Sequence, residues 1–439
     1  MSTDLRSDLG TISLPHNFRK LTARQKLNVL SELLELHPKE IATVNPGAEL
    51  IDLADVMVES AVGVMPVPLG IAAGITIDGH SFNVPMATEE PSVVAAATYA
   101  GRLLGRIAGG IQTSSSGQVM TAQVAIDNAT ADAVERIAAA EPQLRDQIDP
   151  ILAPMTRRGG GYRSIRARWL DEAALLVVRL HVDTRDAMGA NIINTAAEAL
   201  RAPLEQLTGG RVLMAILTNA APRRHACARF STPVGSLPRR GEVEGAQLAH
   251  RIVRANEFAT HDPERAVTHN KGIMNGVSAV ALATGNDTRA IEAAAHAYAS
   301  RTGNYRALTE YWIADGYLHA SLDLPMAVGT VGGAVGFHPA TGLALKILFS
   351  SVELEVSAEW LGRVAVALGL AQNFAAISAL VAEGIQHGHM RQHARRLAWK
   401  AGARDARLQQ LAEQVWQGGV FNIETARALL TELEANPDT

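Results

Sequence analysis

Residues 121–127 read TAQVAID, and this stretch of β-type residues, set in an alanine-rich and largely helical sequence, decides the fold class. A helical pattern follows at 132–140, and further segments with β-type residues or alternation come after it. Together they predict a compact unit of helices and strands from about residue 110 to 219, and hence an α+β fold. The remaining segments of that unit are 164–169, 174–183, 191–200 and 212–218.

Helical patterning dominates on both sides of this unit. Leucines recur at helical spacing between Thr22 and His37, where Thr22 is placed as the N-cap and Pro38 stops the run. A second, alanine-rich helix is predicted from Ser92 to Ile107, entered through Pro91. Later helical regions begin near 244 and span 353–382, and the glycines within 384–388 predict a hinge before the last helices.

Composition excludes several classes of protein. The 439 residues contain a single cysteine, Cys227, so neither an intramolecular disulfide nor a multi-cysteine metal site can form, and redox chemistry would need a bound cofactor. The formal charge of −4 lacks the basic excess of a nucleic-acid binder. The acidic N-terminus has no apolar segment of a secretory signal, and the most apolar stretch, 61–77, is broken by prolines and too short to span a membrane. We therefore expect a cytoplasmic protein with neither nucleic acid nor membrane as a partner.

The segment 268–276, THNKGIMNG, is the strongest chemical signal in the chain. Lys271 stands between an asparagine and a glycine, just ahead of the apolar run 277–283, and the pattern places it where a helix begins. Asp287, in Gly-Asn-Asp sixteen residues later, is the candidate counter-charge. These residues alone support a second interpretation equally well, in which Lys271 is an ordinary surface lysine and Asp287 an ordinary aspartate at a helix terminus.

Two carboxylates, Glu89 and Glu90, immediately precede the predicted helix at 92–107. The N-terminus of a helix attracts anions, and a buried carboxyl there could be kept partly protonated. Ordinary solvated acids at a helix start remain the alternative. The serine-rich segment 113–117, TSSSG, offers hydroxyls and backbone amides but is more typical of an ordinary loop.

Two further motifs have competing interpretations. Residues 186–191, DAMGAN, form a polar turn that feeds a helix with small residues, which would permit close approach of a ligand; an ordinary capped helix start is the alternative. No GxGxxG fingerprint occurs in a strand-turn-helix context, which disfavours a Rossmann domain. His389 and His393 are spaced as in HExxH, but the glutamate of that motif is absent, so metal binding, a structural histidine and proton transfer all stay open.

Taken in order, these motifs resemble those of class II 3-hydroxy-3-methylglutaryl-coenzyme A (HMG-CoA) reductase. The shared motifs are EEPS, DAMGAN, HNKGIMNG, GND and GHM, and the resemblance runs from Leu14 to the C-terminal helices. It implies reduction of the HMG-CoA thioester to mevalonate and free coenzyme A with two nicotinamide hydrides, or the reverse reaction, in the mevalonate pathway of isoprenoid metabolism and without a metal. HMG-CoA, mevalonate and coenzyme A are then the small-molecule partners.

The resemblance also implies an architecture. A large, mainly helical domain, residues 1–110 and 220–384, would be interrupted by a small ferredoxin-like nicotinamide-binding domain, 111–219. Residues 385–439 would form a mobile C-terminal helical flap. The family is dimeric with active sites at subunit interfaces, so a homodimer or a larger assembly of dimers is expected. Residues 59–63, ESAVG, resemble the family's dimer segment but depart from it at Ser60 and Ala61.

Four residues inherit catalytic roles from the resemblance. Lys271 would stabilise the oxyanion as hydride reaches the thioester carbon. Asp287 would hold Lys271 in its charged form, and Glu90 would supply the proton for the carbonyl oxygen. His389 would protonate the departing coenzyme A thiolate, a task suited to a side chain that titrates near neutrality.

Further residues inherit binding roles. The substrate side would include Arg265, which would pair with the substrate carboxylate, and Arg19, which would contact a coenzyme A phosphate. The remaining substrate positions are Ser92, Asn219 and Asn275, and the cofactor positions are Asp186, Met188, Gly189, Asn191, Asn194, Arg157 and Arg158.

The choice between NADPH and NADH depends on charge near the triple glycine at 159–161. Asp149 could accept from ribose hydroxyls, whereas Arg157 and Arg158 could pair with a 2′-phosphate. Leu152 falls where an NADH-using relative carries its selective aspartate, which favours NADPH. A catalytically idle acyl-CoA-binding relative and a non-redox acyl-CoA lyase or hydratase are the alternative functions.

Overall fold

The structure is a computed structural model that describes residues 21–33, 35–38, 41, 42, 45, 47–333, 335–350, 352–384 and 386–435; for 48, 386–389 and 391 it describes the backbone alone. The chain divides into two compact units, Met1–Pro68 and Leu69–Thr439. Arg19 precedes residue 21 and so lies outside the described residues.

The first unit contains helices α1, Ala23–Leu33, and α2, Ala48–Met57. The predicted cap is present: Gln25 N donates to Thr22 Oγ1 (3.3 Å), and Thr22 N donates to Gln25 Oε1 (2.9 Å). These reciprocal bonds satisfy backbone donors that the first turn would otherwise leave free. The buried Lys26 ammonium pairs with Asp55 (3.4 Å), which ties α1 to α2.

The second unit mixes helices and strands, as an α+β fold requires. Its strands are β1 Leu69–Ile77, β2 His80–Ala87, β3 Gln112–Ser115, β4 Val119–Asp127, β5 Gly161–Leu170, β6 Leu175–Asp183, β7 Arg211–Leu217, β8 His225–Pro233, β9 Thr309–Ala314 and β10 Tyr317–Pro325. Its helices are α3 Val93–Ile107, α4 Ala133–Ala139, α5 Glu141–Thr156, α6 Ala190–Ala199, α7 Arg201–Thr208, α8 Gly245–His261, α9 Pro263–Ala283, α10 Thr288–Ala299, α11 Pro339–Ser350, α12 Ala358–Leu380, α13 Gln386–Ala401, α14 Asp405–Gly418 and α15 Ile423–Ala435.

One hydrophobic core is built around α12 and α9, which pack against the β1–β2 hairpin and the four-stranded sheet β3-β8-β10-β9. Glycines let the two helices approach closely. A Cβ at Gly276 would lie 2.7 Å from the carbonyl oxygen of Leu368, and one at Gly369 would lie 2.8 Å from the side chain of Val277. The close approach fixes the helix that carries Lys271.

A second core lies beneath the antiparallel sheet β5-β6-β4-β7. Its strands and helices follow in the order β4-α-β5-β6-α-β7, where the first connection contains α4 and α5 and the second contains α6 and α7. The strand predictions for this region are confirmed to within a few residues. Helix α5 was not predicted; its interior prolines, Pro150 and Pro154, disguise the helical pattern.

Within the described part of the chain, α12 is long and apolar enough to cross a membrane by length and composition alone. It lies in the core, however, where 78% of its most apolar window is buried. Helices α13–α15 follow it and enclose a smaller apolar cluster of their own, centred on Ala398, Leu411 and Ala426.

Candidate active site

A cleft of about 620 Å³ opens between the start of α3, the middle of α9 and the last turns of α12. Its wall contains five of the residues singled out by the sequence. Glu90 precedes α3, and Ser92, in the left-handed conformation (φ 72°), immediately precedes the first residue of that helix. The other three, Arg265, Lys271 and Asn275, come from α9.

The centre of the cleft is an ion pair. Lys271 Nζ lies 2.5 Å from Glu90 Oε2, and Asn275 Nδ2 donates to Glu90 Oε1 (3.5 Å). Glu90 is thus held between two donors one helical turn apart on α9. The Lys271 side chain is 57% exposed, so its ammonium group faces the open cleft rather than the core.

The two residues that precede Lys271, His269 and Asn270, are anchored in the core and so fix the position of the lysine. The ring of His269 is buried, with Nε2 near Thr309 Oγ1 (2.6 Å) and Asn373 Nδ2 (3.1 Å). Asn270 accepts from Leu308 N (2.9 Å). Burial, with the charge of Arg265 nearby, lowers the pKa of His269 to about 3, so the ring is neutral at physiological pH. The two inward side chains leave Lys271 on the outward face.

The expected position of Lys271 at a helix start is wrong. Helix α9 begins at Pro263, eight residues earlier, and Asp262 caps it by accepting from Arg265 N (2.8 Å). Asn270 and Gly272 are tolerated inside the helix because tertiary contacts override their poor helix propensity.

Positive charge exceeds negative charge in the cleft. Arg265 and Arg240 join Lys271, against Glu90 and Glu383. Arg265 is partly buried, and that burial lowers the pKa of its guanidinium group, which still carries its charge at neutral pH. Arg240 lies near Glu383 (3.7 Å) and over the ring of Tyr99. An anionic ligand suits this surface.

A second cavity, of about 560 Å³, is bounded by the DAMGAN turn and the GND segment. Met188, Gly189, Asn191 and Asp287 all line it. Gly189, at φ 86°, precedes α6, and a Cβ there would lie 2.4 Å from the side chain of Thr184, so only glycine fits. The N-terminal turn of α6 borders the cavity, where its free N–H groups can bind an anion.

Two predicted cofactor residues hold the framework of this cavity. Asp186 Oδ1 accepts from Ala358 N (2.9 Å) at the start of α12, and its backbone oxygen accepts from Thr330 N (2.8 Å). Asn194 Oδ1 accepts from Leu217 N (2.8 Å), which joins α6 to β7. Within this chain, the hydrogen bonds of Asp186 and Asn194 therefore hold neighbouring segments of the backbone together.

The structure does not bring Lys271 and Asp287 together within one chain. Asp287 caps α10 by accepting from Arg289 N (3.0 Å) and Ala290 N (3.1 Å). From Lys271 to Ala283 the helix rises by about 18 Å, and Asp287 follows the end of that helix. Glu90, not Asp287, is the carboxylate that pairs with Lys271 inside the chain.

Other predicted residues lie outside both cavities or outside the described atoms. Asn219 is exposed in the turn after β7, and Arg157 and Arg158 are exposed at the end of α5. His389 belongs to α13, but its side chain is not among those described. Among the side chains that are described, no group of three or more His, Cys, Asp or Glu is placed to hold a metal ion.

A glycine-rich segment, 329–333, escaped the sequence interpretation although it borders the second cavity. Gly329 N donates to Asn286 Oδ1 (2.7 Å) and its oxygen accepts from Asn286 Nδ2 (3.2 Å), so the asparagine of GND fastens this segment. A Cβ at Gly329 would lie 2.6 Å from Met188 N. The sequence feature that could have indicated it is the run Gly329-Thr330-Val331-Gly332-Gly333, but glycine-rich runs of this kind are also typical of ordinary loops.

A lysine–carboxylate pair in one cavity, and a helix N-terminus with glycines around another, are features typical of an enzyme with an anionic substrate and a phosphate-bearing ligand. The family model described as hydroxymethylglutaryl-coenzyme A reductase matches residues 22–394. The chain belongs to this family.

Curated relatives agree with that assignment. The 3-hydroxy-3-methylglutaryl-coenzyme A reductase of Archaeoglobus fulgidus is 41% identical over 428 residues, which cover 95% of this chain and 94% of the relative. A probable reductase of the same name from Borreliella burgdorferi is 34% identical over 394 residues, covering 90% of this chain and 89% of the relative.

Solved structures place the chain in class II of the family. The reductase of Streptococcus pneumoniae matches with a TM-score of 0.72 and 38% identity, over 95% of this chain and 99% of that one. A structure of the class II enzyme from the same organism, bound to NADPH in open conformations, matches equally well over 94% of this chain and 99% of that one.

Proposed function

We propose that this chain converts HMG-CoA to mevalonate and coenzyme A with two molecules of NADPH, or catalyses the reverse reaction, within the mevalonate pathway. The family assignment makes the chain an NAD(P)H-dependent oxidoreductase. Within the chain, the observation that carries the proposal is the pair of Lys271 and Glu90 in a cleft that also contains Arg265.

Lys271 and Glu90 act on the same substrate oxygen. The ammonium of Lys271, directed into the cleft, stabilises negative charge as it develops on the thioester oxygen. Glu90, 2.5 Å from that ammonium, shares a proton with it, and this shared proton neutralises the oxygen. Arg265 pairs with the substrate's free carboxylate, and Ser92 and Asn275 bind its polar groups. Asn219 lies outside this cleft, and its substrate role is supported by the family resemblance alone.

The second cavity suits a nicotinamide nucleotide, which supplies a hydride when bound. The N-terminus of α6 and the glycine-lined walls fit a pyrophosphate group, because backbone donors converge where a Cβ would intrude. Met188, Gly189 and Asn191 contact the nucleotide, while Asp186 and Asn194 hold the walls. Arg157 and Arg158, exposed beside the triple glycine, select NADPH over NADH through its 2′-phosphate.

Helices α13–α15 form the C-terminal flap that covers the substrate cleft. Gly384 and Gln392 both border the cleft, which supports this role. We assign His389 of α13 to protonation of the coenzyme A thiolate, and Arg19 to binding of a coenzyme A phosphate. Closure of the flap would expel water and complete the site.

A second copy of the chain completes the catalytic set. Asp287 cannot reach Lys271 along its own helix, so we assign it to the site of the partner subunit in a homodimer. Exposed apolar side chains in the first unit support such an interface, since Val56 is 73% and Met65 85% exposed. The neighbouring segment 59–63 resembles the family's dimer segment.

The domain boundaries near 110, 219 and 384 remain part of this proposal, as does cytoplasmic localisation. The strand order β5-β6-β4-β7 with two helical connections supports a ferredoxin-like nicotinamide-binding domain at 111–219. The larger core around α9 and α12 supports a separate substrate domain.

The test combines two readouts on purified protein. HMG-CoA is added with NADPH or with NADH, and the loss of nicotinamide absorbance is measured together with released thiol. Two nicotinamides oxidised for each thiol establish the four-electron reaction and identify the cofactor. Binding of HMG-CoA without nicotinamide oxidation would instead support a binding or non-redox relative and reject the proposal.

A further inference from the structure

Arg224 is a fully buried cation, and none of the described carboxylates is bonded to it. Its side chain is 1% exposed and lies between the turn that precedes α6 and the segment that follows β10. Burial lowers the pKa of Arg224 to about 10, against the opposing effect of Asp183 and Asp186, so the guanidinium stays charged at neutral pH. Burying a charge is costly, which makes the contacts of this group informative.

Those hydrogen bonds link the two walls of the second cavity through a buried side chain that does not itself line the cavity. On the side of the DAMGAN turn, Nη1 donates to Thr184 Oγ1 (3.0 Å), Ala187 O (3.1 Å) and Met188 O (3.5 Å), and Nη2 donates to Arg185 O (3.4 Å). On the other side, Nη2 donates to Val328 O, and the backbone oxygen of Arg224 accepts from Met326 N (2.7 Å).

The residues that Arg224 holds are continuous with residues that border the cavity. Ala187 and Met188 line it directly, and Val328 is followed by the lining residue Gly329. The guanidinium fork therefore sets the spacing between the DAMGAN turn and the glycine-rich segment, and with it the direction of the α6 N-terminus. Lysine carries its three N–H donors on one nitrogen, so it cannot make the full set of bonds that Nη1 and Nη2 of the planar fork make together.

We propose that Arg224 is a positioning residue for the nicotinamide nucleotide: it fixes the two walls of the cavity so that they bind the pyrophosphate. The inference rests on the proposed location of the nucleotide in this cavity. It concerns binding of the nucleotide alone, because Arg224 does not border the cleft that contains Lys271.

The test measures NADPH and HMG-CoA binding separately, by calorimetry, in the full chain. Arg224→Lys should weaken NADPH binding by at least about tenfold, as expected for the loss of charged hydrogen bonds that hold a binding wall. HMG-CoA affinity should stay within about twofold. Unchanged NADPH affinity, or an equal loss for both ligands, would overturn the proposal.

Arg363→Lys is the matched control for general destabilisation. Arg363 is a second largely buried arginine, bonded to Asp78 (2.9 Å) and Thr113 (2.8 Å) away from the cavity. Its substitution should lower the melting temperature without changing NADPH affinity. A parallel loss of NADPH affinity in this variant would show that the Arg224 effect is merely structural.

Two more variants keep the test decisive. Thr184→Val removes one acceptor of Arg224 while preserving the shape of the side chain, and should weaken NADPH binding even if Arg224→Lys does not fold. Unweakened binding would count against the proposal.

Asn191→Asp places a negative charge at the cavity and should repel the phosphates. If Asn191→Asp binds NADPH normally, the proposed nucleotide site is at fault; if it alone weakens binding, the role of Arg224 is at fault.

Discussion

Lys271 owes its position to the residues beside it. His269 and Asn270 face inward and bond to β9 and to the chain before it, so the lysine between Asn270 and Gly272 faces the cleft. An exposed ion pair contributes little to folding stability. The Lys271–Glu90 pair is therefore best understood through what it does to a bound substrate.

Lys271→Ala should lower turnover at least about 10²-fold, because a preorganised cation at the developing oxyanion is lost. NADPH affinity should fall only modestly. Steady-state kinetics and a binding titration check both points. Lys346→Ala, an exposed lysine on α11, is the matched control and should keep normal turnover. Near-normal turnover in Lys271→Ala would refute its catalytic role.

His181 makes stability depend on pH. Burial, followed by the charges of Arg223 and Arg179, lowers its pKa to about 4, while Thr121 Oγ1 lies 2.9 Å from Nδ1. In the unfolded chain the pKa is about 6.5, so below that pH the unfolded state binds a proton that the folded state does not. Its contribution is complete above about pH 6.5 and is lost as pH falls toward about 4.

Urea unfolding near pH 7.5 and near pH 5 measures this loss. His181→Asn should show a smaller decrease in unfolding free energy between the two conditions than the unmodified chain. His269, whose pKa is lowered in the same direction, contributes to the decrease that remains. Equal decreases in the two proteins would contradict the assignment to His181.

At the scale of elements, the contact of α9 with α12 depends on Gly276. Gly276→Ala should destabilise the chain by about 1–3 kcal/mol, because its Cβ would overlap the backbone of Leu368. Thermal and urea unfolding measure the change.

Gly272→Ala on the same helix is the control. No described atom outside the helix lies within 4 Å of its Cβ, so a stabilisation of about 0.5–1 kcal/mol is expected. Equal effects would show that packing at 276 is not specific.

Elements with regular periodicity were predictable, and those set by tertiary contacts were not. Helix α3 and strands β4, β5 and β6 lie where the patterns placed them. The start of α9 was missed because the glycine and asparagine near Lys271 indicate a turn locally, whereas Leu368 and Thr309 stabilise a helix there. The β1–β2 hairpin was missed because two glycines in β1 and one proline in β2 interrupt its alternation.

The candidate site shows the same limit. Motif order singled out Glu90, Ser92, Lys271 and Asn275, and the structure brings the four to one cleft. No local pattern could show that the glycine-rich segment 329–333 would border the second cavity, or that Asn286 would hold it in place. The separation of Asp287 from Lys271 was available from the sequence, because a helix over the residues between them already spans about 18 Å.

At the scale of the whole molecule, the separation of Lys271 from Asp287 predicts complementation between subunits. Lys271→Ala and Asp287→Ala should each be nearly inactive as homodimers. In a mixed dimer one of the two sites regains both residues, so it should show about half of normal activity. Activity of the co-expressed pair, purified through two different tags, measures this. A mixed dimer as inactive as its parents would show that each site takes both residues from one chain.

Gly272 borders the substrate cleft and has open space, among the described atoms, where a side chain would begin. Larger residues there would fill part of the cleft without displacing the packed face of α9, and under the proposed function they would reduce the volume left for the acyl group. The position thus offers a way to tune which acyl thioesters the enzyme accepts, independently of the groups that perform the reduction.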